Sequence, residues 1–229
     1  MRSMSIAALM VSAVSVAAQQ PVAGGGMPVS GRVTILEKPG SVAGDVGSTV
    51  IFLETGSSGK GSTEAANAQI ILQSKQFVPR VRIVTAGSRV DFPNQDPFRH
   101  NVFSNTPGGT FDLGLYPRGV ARGTSFRRAG VYPIFCNIHS RMTGFIVAVT
   151  TPYHTQAQAD GSWTITNVPA GTYTLHVWHE RAPEVVRELV VAGEPVTGLD
   201  AELDARGWRP QAHKNKFGKD YPPIERDRY

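Results

Sequence analysis

The 229-residue chain has a single cysteine, Cys136. It can form no disulfide within the chain and no metal cluster that needs two thiolates. Histidine is scarce as well: there are six, with no His-x-His pair and none beside the cysteine. Methionine is rarer still at five, and four of these lie in the first 27 residues. Charged residues make up 18%, and the basic excess is uneven. Residues 206–229 hold seven Lys/Arg against three Asp/Glu, which is +4 of the net +5. The rest is close to neutral and offers no cationic stripe for nucleic acid. No segment has the length and 3.6-residue period of a helix, and beyond the first 18 residues no apolar run is long enough to span a membrane.

What is present is punctuation and short β-prone runs. Gly 24 and Pro 16 separate segments rich in Val, Ile, Thr and Phe, which predicts an all-β protein. A hydrophobic content of 41% can supply a real core for one or two domains. The beginning of the chain predicts export. Arg2 is positive, residues 6–18 are apolar or small, and Val16-Ala17-Ala18 precede a plausible cut ahead of Gln19. Residues 1–18 are then a signal peptide and 19–27 a leader. The mature protein is expected in the periplasm, with no membrane span after cleavage. There a lone thiol is a liability unless it is buried, paired between chains or bound to a metal.

Strand-like runs are expected over residues 29–35, 49–53, 68–73, 80–85, 90–92, 101–103, 124–127, 131–135, 144–150, 162–165, 172–178, 185–191 and 196–203. Residues 56–67 have linker composition, and 104–123 are rich in Pro and Gly. Residues 205–229 read as a basic tail that wraps the surface or is disordered.

One constellation carries chemistry. Cys136, His139 and Met142 stand at C-x2-H-x2-M spacing, and His100 lies 36 residues before the cysteine. Two imidazoles, one thiolate and one weak axial thioether form the ligand set of a blue copper site. The sulfur donors favour Cu(I), and imidazole suits both oxidation states, so such a site exchanges one electron with little rearrangement. Two competing readings are a buried structural cysteine with unrelated histidines, and a zinc site, for which Met is a poor ligand.

Phe92-Pro93-Asn94, His100-Asn101-Val102 and Gly130-Val131-Tyr132 running into Phe135-Cys136 resemble the cupredoxin family, with an amicyanin-like ligand loop. The resemblance covers residues 68–150. It implies a Greek-key β-sandwich with one type 1 copper ion, and gives Asn101 the role of tying the two ligand loops together. Residues 160–175 resemble a carboxypeptidase regulatory-like, or transthyretin-like, β-sandwich. Gly31-Arg32-Val33 and Val50-Ile51-Phe52-Leu53 resemble that family's opening strands. The expected organisation is a cupredoxin domain inserted into a smaller split sandwich built from 28–54 and 152–204. The combination also resembles bacterial proteins labelled methylamine-utilization proteins.

The expected function is single-electron transfer with no enzyme activity. The partner would be a redox protein such as a cytochrome or a periplasmic dehydrogenase. His139 would form the exposed edge, with Ile138, Pro97 and Phe98 around it. The alternative is a copper-binding, storage or structural sandwich without electron transfer. A copper oxidase or nitrite reductase needs further histidines, and none is placed for it. His176 and His179 fall on opposite faces of a strand and predict no second site. Trp163, Tyr173 and Trp178 are expected in the core.

Overall fold

The computed structural model describes residues 25–40, 44–56, 65–210 and 213–221. The predicted signal peptide, leader residues 19–24, linker residues 57–64 and residues 222–229 lie outside them. The described residues form strands and one 3-10 turn at Val46–Ser48. The first strands are β1 (Met27–Leu36), β2 (Val50–Thr55), β3 (Asn67–Gln69), β4 (Ile71–Gln73), β5 (Gln76–Val78) and β6 (Val81–Thr85). Next come β7 (Arg89–Pro93), β8 (His100–Ser104), β9 (Phe111–Tyr116), β10 (Ala121–Ser125), β11 (Gly130–Phe135) and β12 (Thr143–Val149). The last are β13 (His154–Gln156), β14 (Ser162–Val168), β15 (Gly171–Trp178), β16 (Val185–Val191) and β17 (Ala201–Asp204).

These strands make two packed pairs of sheets. In one, a five-stranded sheet β6-β12-β11-β8-β9 lies with a three-stranded sheet β10-β7-β3 and a β4-β5 ribbon. Ile70, Phe92, Val102, Ile134 and Ile146 fill the space between them. Here β6 runs parallel to β12, and β3 parallel to β7. In the other, the sheet β14-β1-β17 faces β13-β2-β15-β16. Val29, Val33, Leu53, Trp163, Leu175 and Leu203 share that core. Residues from both ends of the chain therefore build one hydrophobic interior.

Strand β2 explains how the two sandwiches meet. Val50, Ile51, Phe52 and Leu53 are all buried. Successive side chains of a strand point to opposite faces. Ile51 and Leu53 enter the core of the flanking sandwich. Val50 and Phe52 pack with Val81, Val147 and Val149 of the other sandwich, and Trp178 joins that layer. Burial on both faces is why VIFL reads as a continuous apolar run. An Arg80–Glu180 ion pair adds a polar link at the same junction.

Three strands lie where none was expected: β5, β9 and β13. Strand β9 falls within the Pro/Gly-rich stretch, at the edge of the five-stranded sheet. The run expected at 68–73 is divided between β3 and β4, which belong to different sheets. The run expected at 196–203 forms a strand only from Ala201, and Val196 makes a single bridge to Val29.

Candidate metal centre

His100 opens β8, a strand whose five residues are all buried. Residues 94–98 form the turn that leads into β8, and the buried Asn94 fixes that turn. Its Nδ2 donates to the carbonyls of Phe98 (2.9 Å) and Tyr116 (3.2 Å), and its Oδ1 accepts from the Asp96 amide (2.9 Å). A register irregularity after Asn101 interrupts the β8–β9 ladder. Bulges of this kind re-aim neighbouring side chains, and His100 and Asn101, adjacent on the strand, are both buried.

Cys136 and His139 come from the connection between β11 and β12. Two backbone bonds close that loop: Cys136 N–H to the Met142 carbonyl (3.2 Å) and Met142 N–H to the His139 carbonyl (3.0 Å). Beyond the loop, β12 is closely packed at Gly144. A Cβ there would lie 2.9 Å from the Arg80 carbonyl oxygen and 3.1 Å from Phe77 Cβ, so only glycine allows β12 to run so close to residues 77–80.

The structure brings three of the predicted donors to one point. Cys136 Sγ lies 3.7 Å from His100 Nδ1 and 3.5 Å from His139 Nδ1. All three donor atoms fall within 4.8 Å of one another. Donors roughly 2.0–2.3 Å from a shared ion, spread around it in a plane, stand about 3.5–3.8 Å apart. The observed spacing therefore fits a single first-row metal ion. Met142 is buried in the same cluster as Cys136. Among the described residues no other group of three His, Cys, Asp or Glu donors converges in this way.

The charge environment suits metal ligation. Burial pushes the Cys136 thiol above its ordinary range, while the amides of Asn101, Ile138 and His139 pull the other way. A bound cation would supply the missing compensation for the thiolate. The far nitrogen of His100 is engaged as well: Nε2 lies 2.7 Å from Asp96 Oδ2. An Nε2–H donated to that carboxylate leaves the Nδ1 lone pair facing Cys136, the orientation a metal requires. Asp96 is itself buried, which alone would raise its pKa. The amides of Lys75 (2.9 Å) and Ser74 (2.7 Å), with the His100 ring, hold it below the ordinary value instead. A charged hydrogen bond contributes about 1.5–3 kcal/mol. Three of them are comparable with the several kcal/mol that burying a carboxylate costs.

Sequence reasoning passed over Asp96. Its signal was available in the Asn94-x-Asp96 pair four residues before His100. Asn101 ties the His100 strand to the cysteine through its backbone. Its side-chain Nδ2 donates to Asp112 Oδ1 (2.6 Å) rather than to the cysteine loop, and only its backbone amide acts on the cysteine sulfur.

The rim also takes shape. Phe98 packs edge-on against both His100 (centroids 5.2 Å) and His139 (5.5 Å). Ile138 is 44% exposed, Pro97 is exposed, and His139 is half-buried rather than open. Arg141 is exposed and lines a groove of about 1270 Å³ with Phe135, Trp208 and His213. His176 and His179 have separate partners. His176 stacks on Phe52 and bonds Glu184, whereas the buried His179 accepts from the Arg181 amide. Trp163 and Tyr173 are core residues, and Trp178 sits half-buried between the sandwiches. No described helix is long and apolar enough to cross a membrane.

A family model described as polysaccharide lyase family 4, domain II, matches residues 149–188. The flanking sandwich is thus matched by a family other than the carboxypeptidase regulatory-like one. Among curated proteins nothing matches. The solved structures similar to this chain include the reduced state of an amicyanin mutant at 20% identity, covering 36% of this chain and 81% of that one, with a TM-score of 0.34. A purple cupredoxin from Nitrosopumilus maritimus is similar at 24% identity over 35% of this chain and 98% of that one, TM-score 0.32. A copper-containing nitrite reductase from Thermus scotoductus is similar at 20% identity, covering 51% of this chain but 28% of its own length, TM-score 0.35.

Proposed function

We propose that the protein is a type 1 copper protein of the periplasm that carries single electrons between redox partners. The observation that carries this reading is the convergence of Cys136 Sγ with the Nδ1 atoms of His100 and His139 at 3.7 and 3.5 Å. A copper ion held there would gain and lose one electron. His100, Cys136 and His139 would bind it, and Met142 would supply a weak fourth contact. Asp96 keeps His100 in the ligating tautomer, and the closed 136–142 loop holds the other donors in place through oxidation and reduction. Phe98 and Ile138 limit water at the half-buried His139, the edge through which electrons would pass. A cytochrome or a periplasmic dehydrogenase would dock there weakly and transiently.

Outer-sphere transfer is favoured over catalysis because the chain has one cysteine and no His-x-His pair with which to build a second copper centre. The flanking sandwich, matched over residues 149–188 to polysaccharide lyase family 4, domain II, is read as a scaffold or docking module. The test is cupric ion titration of the purified protein, followed by voltammetry. One equivalent, an intense visible thiolate-to-copper band and a reversible one-electron wave are expected. Oxygen or nitrite turnover, or copper bound without the band, contradicts the reading. Met142→Gln should keep the copper and lower its potential.

A further inference from the structure

Residues 213–221 lie against the start of the cysteine loop, at Phe135, Cys136 and Asn137. Tyr221 donates its hydroxyl to the carbonyl of Cys136 itself (2.7 Å). The Lys216 amide donates to Asn137 Oδ1 (3.0 Å). The His213 ring stacks on Phe135, the residue before the cysteine, with centroids 4.4 Å apart and planes within 26°. Tyr221 and His213 also contact each other, edge to face with centroids 5.1 Å apart.

A second line of contacts reaches the other donor strand. Lys216 Nζ pairs with Asp112 Oδ2 (2.7 Å), and Asp112 Oδ1 accepts from Asn101 Nδ2 (2.6 Å). Asn101 follows His100, and Asn137 follows Cys136. The segment therefore joins the two donor-bearing regions through Asn101, Asp112, Lys216 and Asn137. Burial raises the Asp112 carboxyl, but Lys216, the Gly114 amide and Asn101 together hold it below its ordinary value.

We propose that residues 213–221 are a strap that clamps the two donor-bearing regions, with Tyr221 and Lys216 as positioning residues for the metal site. Three features support a dedicated clamp. Its contacts fall on Phe135, Cys136 and Asn137, they reach Asn101 beside His100 through Asp112, and they use the backbone carbonyl of the cysteine, which no side-chain change at the site can remove. The strap adds to the tie that the Asn101 backbone amide makes to the cysteine. Its effect on bound copper rests on the copper reading above; its effect on Cys136 in the metal-free protein does not.

The experiment compares the full chain with Tyr221→Phe, Lys216→Met and the double variant. Lys216→Arg serves as the conservative rescue. In metal-free protein, the rate of Cys136 alkylation by iodoacetamide reports opening of the loop. Losing one such bond should raise it roughly three- to tenfold, and losing both should raise it further. In cupric-loaded protein, the rate of copper loss to a chelator should rise in parallel and the visible band should shift, while Lys216→Arg restores both. Global stability, read by chemical denaturation, should change little. Alkylation that is unchanged in the double variant, or that rises only as far as global stability falls, overturns the strap. Faster alkylation in a protein that binds no copper upholds the strap and removes the copper reading.

Discussion

The two sandwiches solve the same burial problem with different polar groups. Each has a filled core of Val, Ile, Leu and aromatic residues, and each buries ionisable side chains at its edge. In the flanking sandwich, Arg181 is almost fully buried between Glu37 and Asp45, with a bidentate pair to Glu37 at 2.6 and 2.9 Å and contacts to Asp45 at 2.6 and 2.8 Å. Positive and negative groups there satisfy one another. At the donor end of the other sandwich, His100, Cys136 and His139 converge with no carboxylate among them, and the buried acid beside them, Asp96, is turned to the far side of His100. The first arrangement is complete in itself. The second leaves three donor atoms facing one another with no opposite charge among them. Buried polarity alone does not mark a candidate site; converging donor atoms with their supports already in place do.

The largest break in that comparison is expected from Arg181→Met. Two carboxylates would lose their cation in a half-buried site, lowering stability by about 3–5 kcal/mol. Chemical denaturation measures this, and the visible spectrum of the copper-loaded variant should be that of the parent. Asp96→Asn does the reverse. It should weaken copper binding about 10- to 100-fold, read by chelator competition, with little change in the unfolding of the flanking sandwich.

A third effect depends on pH. Burial depresses the pKa of His154 and His179, both set against the flanking sandwich. In this case the unfolded chain binds protons more readily than the folded one. Stability is therefore fully present above the ordinary histidine value of about 6.5 and is lost as pH falls toward the depressed folded values, below which it levels off. Denaturation of metal-free protein at pH 7.5 and 5 should show this loss, and His179→Gln should reduce it. The smallest effect compares two exposed aliphatic residues, Ile138 (44% exposed) and Val190 (64% exposed). Substitution by Ala should move stability by less than about 0.5 kcal/mol at either site. Only Ile138→Ala should slow electron exchange with a partner protein.

Much of this architecture could be read from the residues. The alternation in TYTLHVW and the turn at Asp160-Gly161 mark β15 and the start of β14, and the structure has both. Strand β9 escaped because FDLGLY is interrupted by Gly114, places Leu115 in solvent and lies at the edge of its sheet. Edge strands lose the period-2 signal that burial of one face imposes. At the site, the thiolate and imidazole spacing led directly to three converging donors. The supports were harder to see because they are distant in sequence. Asp96 gains its meaning from Ser74 and Lys75 on another turn. Tyr221 lies 85 residues from the cysteine whose carbonyl it holds. Hydrogen bonds across such separations leave no periodicity for a sequence pattern to show.

The central claim is tested most directly by recording optical and X-ray absorption spectra of the copper-loaded chain beside those of Cys136→Ser. One sulfur and two imidazole nitrogens around a single copper, with an intense visible band that vanishes in the variant, is the predicted result. Copper held equally tightly with the same spectrum after Cys136 is replaced would contradict the account.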